Sequence, residues 1–192
     1  MIHNLPAEEL AFRFQSGRPC LDLAATVGER WGRSFERLRE PSDLGRWLIQ
    51  AKLLDEPPRV TARQLQAARE LREAIYRTAK LAGARHPDPA DVDQINCWAA
   101  KPPLAPRLAA DGHTVSWIAA RPIDAALATL ARDAIDLVSG PLATRVRECA
   151  RPDCALLFVD TSKPARRRWC SMEVCGNRTK TAAYRARHKA GT

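Results

Sequence analysis

Residues 149–175 read CARPDCALLFVDTSKPARRRWCSMEVC, and their four cysteines fall into two equal pairs. Four residues separate the cysteines within each pair, and fifteen residues lie between the pairs. Zinc takes four thiolates in a tetrahedron, so each pair must curl into one tight loop, for which a spacing of four residues is short enough. The sequence therefore predicts one zinc ion whose ligands are the four cysteines Cys149, Cys154, Cys170 and Cys175.

The number of ligands predicts the role of this zinc. Four thiolates leave no open coordination position, so we expect a structural metal whose binding is coupled to folding of the segment. Clustered cysteines in a reducing cytosol favour a metal over disulfides. Two disulfides, or four buried thiols without a metal, remain the alternatives.

The residues around the cysteine pairs predict a hairpin followed by a helix. Residues 156–160 favour a strand, residues 161–164 a turn and residues 166–169 a returning strand. A helix is expected from about Asn177. Together these elements predict a small treble-clef-like module in residues 144–192, which we call the finger.

The net charge of +9 is concentrated in the finger. Residues 145–192 hold twelve Lys or Arg against four Asp or Glu, which leaves almost no excess in the rest of the chain. A charge excess confined to one segment is typical of a surface that binds a polyanion. We expect a nucleic-acid-binding surface made of Arg166, Arg167, Arg168, Asn177, Arg178, Lys180, Arg185, Arg187 and Lys189.

Arginine dominates this basic set, which suits bidentate recognition of phosphates or guanine edges. RNA, a ribosome or an acidic protein is an alternative partner to DNA. Tyr184 either stacks on an unpaired base or packs on the hairpin, and packing is favoured because the helix needs an apolar contact. Trp169 is interpreted as a core residue of the finger.

Residues 1–143 predict a mostly helical domain, which we call the first domain. Thr61 and Gln64 form a capping box before a helix whose apolar residues recur every three or four positions up to Gly83. Further expected features are a strand at 12–14, a helix capped by Ser42 that stops at 57–58, a helix from Asp88 or Asp91, a hairpin around 111–112 and a helix from Pro122 to about Ser139.

The first domain shows no catalytic pattern, and we expect a binding protein, with an enzyme as the least favoured alternative. Cys20 and Cys97 are interpreted as buried structural thiols. A small-molecule effector or a homodimer is a hypothesis for this domain. Leu21, Trp31, Trp47 and Trp117 either line an effector pocket or fill the core, and the core is favoured.

The chain has no run of about 18 or more apolar residues and no signal-like start, so we expect no membrane span and a cytoplasmic location. The overall fold class is expected to be mainly α with a small β-hairpin, in which the helical first domain precedes the zinc finger.

Residues 170–178 read CSMEVCGNR, and with the first cysteine pair they closely resemble the CGNR zinc finger. The GRPCLDL stretch at 17–23, DLGRWL at 43–48 and LREAIY at 71–76 resemble the ABATE domain that usually precedes that finger. The resemblance covers essentially the whole chain. It implies a bacterial, stress-induced transcription regulator, and it favours DNA over RNA as the partner.

Overall fold

The computed structural model describes residues 5–181. Its helices are α1 (Ala7–Leu10), α2 (Pro19–Ala24), α3 (Pro41–Gln50), α4 (Ala62–Lys80), α5 (Pro89–Ala99) and α6 (Pro122–Ser139). Its strands are β1 (Val27–Gly28), β2 (Phe35–Glu36), β3 (Ala105–Leu108), β4 (Val115–Ile118), β5 (Val146–Glu148) and β6 (Leu157–Val159). The strands form three antiparallel pairs, β1–β2, β3–β4 and β5–β6. The expected class, mainly α with small hairpins, is confirmed.

The capping box predicted for α4 is present. The backbone N–H of Gln64 donates to Oγ1 of Thr61 at 3.2 Å, and the backbone N–H of Thr61 donates back to Oε1 of Gln64 at 3.0 Å. Such a cap contributes about 1 kcal/mol to helix stability. Gly83 follows the helix with a φ of +74°, a conformation that favours glycine. The helix starts and stops where the sequence places it.

Helix α3 begins and ends differently from the prediction. Its N-cap is Glu40 rather than Ser42, and the buried carboxylate of Asp43 accepts the backbone N–H groups of Glu40 and Arg39 at 3.0 and 2.8 Å. The helix ends at Gln50, before the two prolines, where Lys52 adopts a φ of +57°. This left-handed turn is usually made by glycine, so the sequence carries no signal for it.

The main core lies between α2, α3, α4 and α6. Trp47 of α3, Leu71 and Ile75 of α4, and Leu127 and Leu130 of α6 are completely buried in it. The apolar face of each helix recurs every three or four residues, which is why these side chains meet. Residues 12–14 form no strand, so that prediction is wrong. The helix at Asp88 and the hairpin around 111–112 are confirmed.

The hairpin of the finger pairs differently from the prediction. Strand β6 pairs with β5, which precedes the first cysteine, and residues 166–169 form no strand. The first cysteine pair therefore occupies the connection of the hairpin. Residues 177–181 are helical after a π-helical turn over Met172–Gly176, which confirms the expected helix for the part of it that the structure describes.

Strand β6 belongs to two cores at once. Leu157 and Val159 point into the main core, whereas Phe158 packs among the cysteines. Alternate side chains of a strand face opposite sides, so three residues suffice to join the two clusters. The backbone N–H of Val159 also donates to the carbonyl of Ser16 at 2.8 Å. The finger is thus packed directly on the first domain.

None of the helices described in residues 5–181 is both long enough and apolar enough to cross a lipid bilayer.

Candidate metal centre

The four cysteine sulfurs converge on one point. Sγ of Cys154 lies 3.8 Å from Sγ of Cys170 and 3.6 Å from Sγ of Cys175, and the last two sulfurs are 3.5 Å apart. With Cys149, all four sulfurs lie within 4.8 Å of one another. A tetrahedron with zinc–sulfur bonds of about 2.3 Å requires sulfurs about 3.8 Å apart. The arrangement fits zinc, and the finger contains one structural zinc site.

The local backbone explains why the ligands meet. Cys149 follows β5, and Cys154 precedes β6 by two residues, among them Ala155 with a φ of +54°. Cys170 ends the long loop after β6, and Cys175 lies in the π-helical turn. The loop is held by the backbone N–H of Ala150, which donates to the carbonyl of Arg168 at 2.8 Å.

The sulfurs are closed off from solvent. Cys149, Cys170 and Cys175 are buried, and Cys154 is partly buried. Leu156, Phe158 and Trp169 surround them. Ala25 of the first domain completes this wall. Trp169 thus packs in the finger as predicted, and four thiolate ligands with no open position make the zinc structural rather than catalytic.

Hydrogen bonds from Cys154 and then from Cys170 and Cys175 lower the pKa of Cys149 below its ordinary value. Zinc binds cysteines as thiolates, so its binding is linked to loss of the thiol protons.

Asp160 and Arg167 fix the loop between the cysteine pairs. The completely buried carboxylate of Asp160 accepts the backbone N–H of Ser162 at 3.0 Å, its hydroxyl at 2.6 Å and the backbone N–H of Arg167 at 2.9 Å. The hydroxyl of Ser162 lowers the pKa of Asp160. The Arg167 guanidinium donates to the carbonyls of Trp169 and Cys170 and lies 4.5 Å from the Phe158 ring centre.

The predicted nucleic-acid-binding residues fall into three groups. Arg166, Arg168, Asn177, Arg178 and Lys180 are exposed. Arg167 is half-buried by the internal contacts given above. The remaining three positions, Arg185, Arg187 and Lys189, lie outside the described residues. So does Tyr184, for which the sequence favours packing on the hairpin over base stacking.

Two further polar side chains reach the sulfurs from outside the finger's core. Nε2 of Gln15, in the first domain, donates to Sγ of Cys170 at 3.7 Å, and Nη1 of Arg151 donates to Sγ of Cys175 at 3.8 Å. Neither residue was singled out from the sequence. Gln15 lies 155 positions from Cys170, so no local pattern could have indicated the contact.

The residues predicted to line an effector pocket or fill the core are dispersed. Leu21 and Trp47 are buried in the core, as favoured, but Trp31 is 59% exposed and Trp117 is also exposed. Cys20 is buried as predicted, and burial raises the pKa of its thiol. Cys97 is exposed, so its interpretation as a buried thiol is wrong.

A groove of about 1000 Å³ lies elsewhere in the first domain, between the starts of α4 and α6 and the end of α5. Ala67, Trp98 and Ile123 contribute its apolar surface. Four basic side chains line it, namely Arg59, Arg63, Lys101 and Arg121. A mixed apolar and polar lining of this kind is typical of small-molecule sites.

Comparison with known proteins agrees with the resemblance. The family model ABATE, described as "Putative stress-induced transcription regulator", matches residues 17–141, and the model of the CGNR zinc finger matches residues 145–188. Neither is an enzyme family. No curated protein matches the sequence.

Proposed function

Since the chain belongs to the ABATE family and ends in a CGNR zinc finger, we propose that it is a zinc-dependent transcription regulator that binds DNA through the basic surface of the finger. The zinc holds the β5–β6 hairpin against the helix that begins at 177. DNA binds to the exposed basic side chains of this hairpin and helix. The regulator acts by binding, with no chemical step, and it works in the cytoplasm, at the nucleoid when bound to DNA.

The observation that carries this proposal is that most exposed basic side chains of the finger form no ion pair in the described part of the chain. Arg151 forms ion pairs with Glu29 and Asp153. Within residues 5–181, by contrast, no acidic side chain forms an ion pair with any of four exposed basic residues, Arg166, Arg168, Arg178 and Lys180. Exposed cations without an ion-pair partner are available to phosphate oxygens, and the stacking of Arg168 on the Trp169 ring at 5.1 Å leaves its charge unpaired.

Arg167 has a different role in this proposal. Its guanidinium is engaged by two backbone carbonyls and the Phe158 ring, so it supports the loop from which Arg166 and Arg168 project. If about six of the other basic side chains contact phosphates, the logarithm of the binding constant should fall with the logarithm of salt concentration with a slope of about −5.

The test compares two double variants that remove the same charge. Arg168→Ala with Arg178→Ala should weaken binding to duplex DNA by at least about tenfold at moderate salt and reduce the salt slope by about two, because two phosphate contacts are lost. Arg85→Ala with Arg107→Ala removes two exposed arginines of the first domain and should leave binding unchanged. Equal effects of both pairs, measured by fluorescence anisotropy, would contradict the proposal.

An RNA- or ribosome-associated module is the second candidate, and the same charge distribution favours it. The DNA assignment rests on the family description, since phosphate contacts are common to both polymers. Anisotropy titrations on duplex DNA, duplex RNA and single strands of matched length separate the two. Tightest binding to RNA would replace the DNA assignment.

The effector hypothesis now concerns the groove between α4, α5 and α6. Its four basic side chains outnumber its two acidic ones, Glu70 and Asp124, and with its apolar surface they suit a small organic acid. Such an acid should raise the thermal unfolding temperature of the protein and should not do so for Arg63→Ala. If none of a broad panel of organic acids produces a shift, the groove has no such role.

The homodimer hypothesis concerns the β3–β4 hairpin. The register pairs Pro106 with Trp117 and Leu108 with Val115, so these four apolar side chains share one face, and all are exposed. Two copies would cover this face mutually. Light scattering should then give a dimer that Leu108→Glu converts to a monomer, whereas a monomeric parent protein would exclude the dimer.

A further inference from the structure

The zinc site lies at the contact between the finger and the first domain. Ala25 packs among the cysteines, and the carbonyl of Ser16 accepts the backbone N–H of Val159. Next to Ser16, the amide of Gln15 donates to Sγ of Cys170 at 3.7 Å. A segment of the first domain therefore touches both the hairpin and a metal ligand.

A second connection runs through Arg151. Its Nη1 donates to Sγ of Cys175, while its Nη2 donates to Oε1 of Glu29, in the first domain, at 2.7 Å. The side chains of Arg151 and Glu29 are only 12% and 14% exposed, so the ion pair is shielded from water. Asp153 accepts from Nε and from the same Nη2, each at 2.6 Å. The Glu29 carboxylate thus orients the cation that faces the sulfur.

The charge of the metal centre explains why these donors are needed. Zinc with four thiolates is dianionic, and a buried anion is costly unless cations or hydrogen-bond donors face it. Arg37 is 4% exposed, and its two side-chain hydrogen bonds in the described part of the chain go to the carbonyls of Glu9 and Ala25. It lines the same small cavity of about 40 Å³ as Cys154 and Cys175, together with Arg151 and Arg178.

We propose that the first domain completes the zinc site, because Gln15 and, through Arg151, Glu29 stabilise the thiolates of Cys170 and Cys175. Groups that hydrogen-bond to metal ligands commonly change metal affinity by about 10- to 100-fold. By linkage, the factor by which docking strengthens zinc binding is also the factor by which zinc strengthens docking. Loss of zinc therefore loosens the finger from the first domain, whatever polymer the finger binds.

The first experiment measures zinc transfer from the full-length, zinc-loaded protein to a chromogenic chelator. Gln15→Ala and Glu29→Gln should each release zinc about tenfold faster, because Gln15 donates to a thiolate and Glu29 orients the Arg151 guanidinium that donates to another. Gln66→Ala, on the exposed side of α4, is the matched control for the first variant. Glu73→Gln controls for the second, since it removes a first-domain carboxylate that pairs with Arg30 and leaves both Glu29 and Arg151 in place.

Each variant is first shown by circular dichroism to retain the helical content of the parent. If one variant releases zinc at the rate of the parent, its residue does not belong to the zinc site. If both variants release zinc at the rate of the parent, the proposal is overturned. An equally fast release from the two controls would also overturn it, because the effect would then be unspecific.

The second experiment tests the reverse direction on the unmodified protein. Removing zinc should increase hydrogen exchange in peptides that cover residues 13–18, on the first domain, as well as in the finger. Peptides from the middle of α4 should keep their protection. If exchange over 13–18 is unaffected by zinc removal, the metal does not hold the two parts together and the proposal fails.

Discussion

Asp160 is the residue on which the loop of the finger depends most directly. Its carboxylate is completely buried and accepts hydrogen bonds from the backbone and hydroxyl of Ser162 and from the backbone of Arg167. In the sequence it is one acidic residue at the end of the apolar run 156–159. Its partners come from a turn that the cysteine spacing alone does not specify.

We expect Asp160→Ala to destabilise the protein by about 2 kcal/mol, because three partly buried donors lose their acceptor. The measurement is the free energy of unfolding from denaturant titration of the zinc-loaded protein. Glu173→Ala, at an exposed acidic position of the finger, should change it little. A similar loss in both variants would contradict this role.

The same carboxylate predicts the sign of a pH effect. Its pKa is lowered in the folded state, so its contribution is present above the ordinary pKa of an aspartate and is lost as the pH falls towards the lowered value. Asp160→Asn should therefore flatten the dependence of stability on pH in this acidic range. A parent and variant with parallel pH profiles would contradict it.

Cys170 is the ligand most central to the metal centre, since its sulfur lies close to those of Cys154 and Cys175 and accepts from Gln15. We expect Cys170→Ser to abolish stoichiometric zinc, because a serine hydroxyl is a poor replacement for a thiolate. Metal analysis of the purified variant measures this. Cys97→Ser, at an exposed thiol, should keep one zinc per chain. A fully metallated Cys170→Ser protein would refute the ligand assignment.

At the scale of elements, β6 connects the two cores. Phe158 is completely buried against the cysteines, while its neighbours Leu157 and Val159 face the helices. We expect Phe158→Ala to cost about 3–5 kcal/mol of unfolding free energy. It should also speed zinc release. The exposed Ile118 of β4 offers the control, since it lies on the opposite face of the hairpin from Leu108 and Ile118→Ala should leave both quantities unchanged.

Elements defined by local patterns could be predicted from the sequence, whereas those that depend on tertiary packing could not. Helix α4 could be predicted because its capping box and its apolar spacing are local. The partner of β6 could not, because residues 146–148 and 166–169 are both plausible strands and the choice depends on packing against the first domain. The end of α3 was missed because a lysine rather than a glycine adopts the left-handed conformation there.

At the scale of the whole molecule, the cysteine spacing and the charge distribution predicted the metal site and the basic surface. No local pattern indicates that strand β6, the wall around the sulfurs and the contact of Gln15 with the Cys170 thiolate join the finger to the first domain. Those contacts join positions more than 100 residues apart, such as Gln15 with Cys170 and Glu29 with Arg151. Long-range contacts of this kind follow from the completed fold rather than from any local pattern.

The most direct test of the central claim is fluorescence anisotropy of duplex DNA with the zinc-loaded and the zinc-stripped protein over a range of salt concentrations. The zinc-loaded protein should bind with a salt slope of about −5. Binding should be lost on removal of zinc and should return when zinc is restored. The absence of salt-dependent binding by the zinc-loaded protein, or equal binding by both forms, would contradict it.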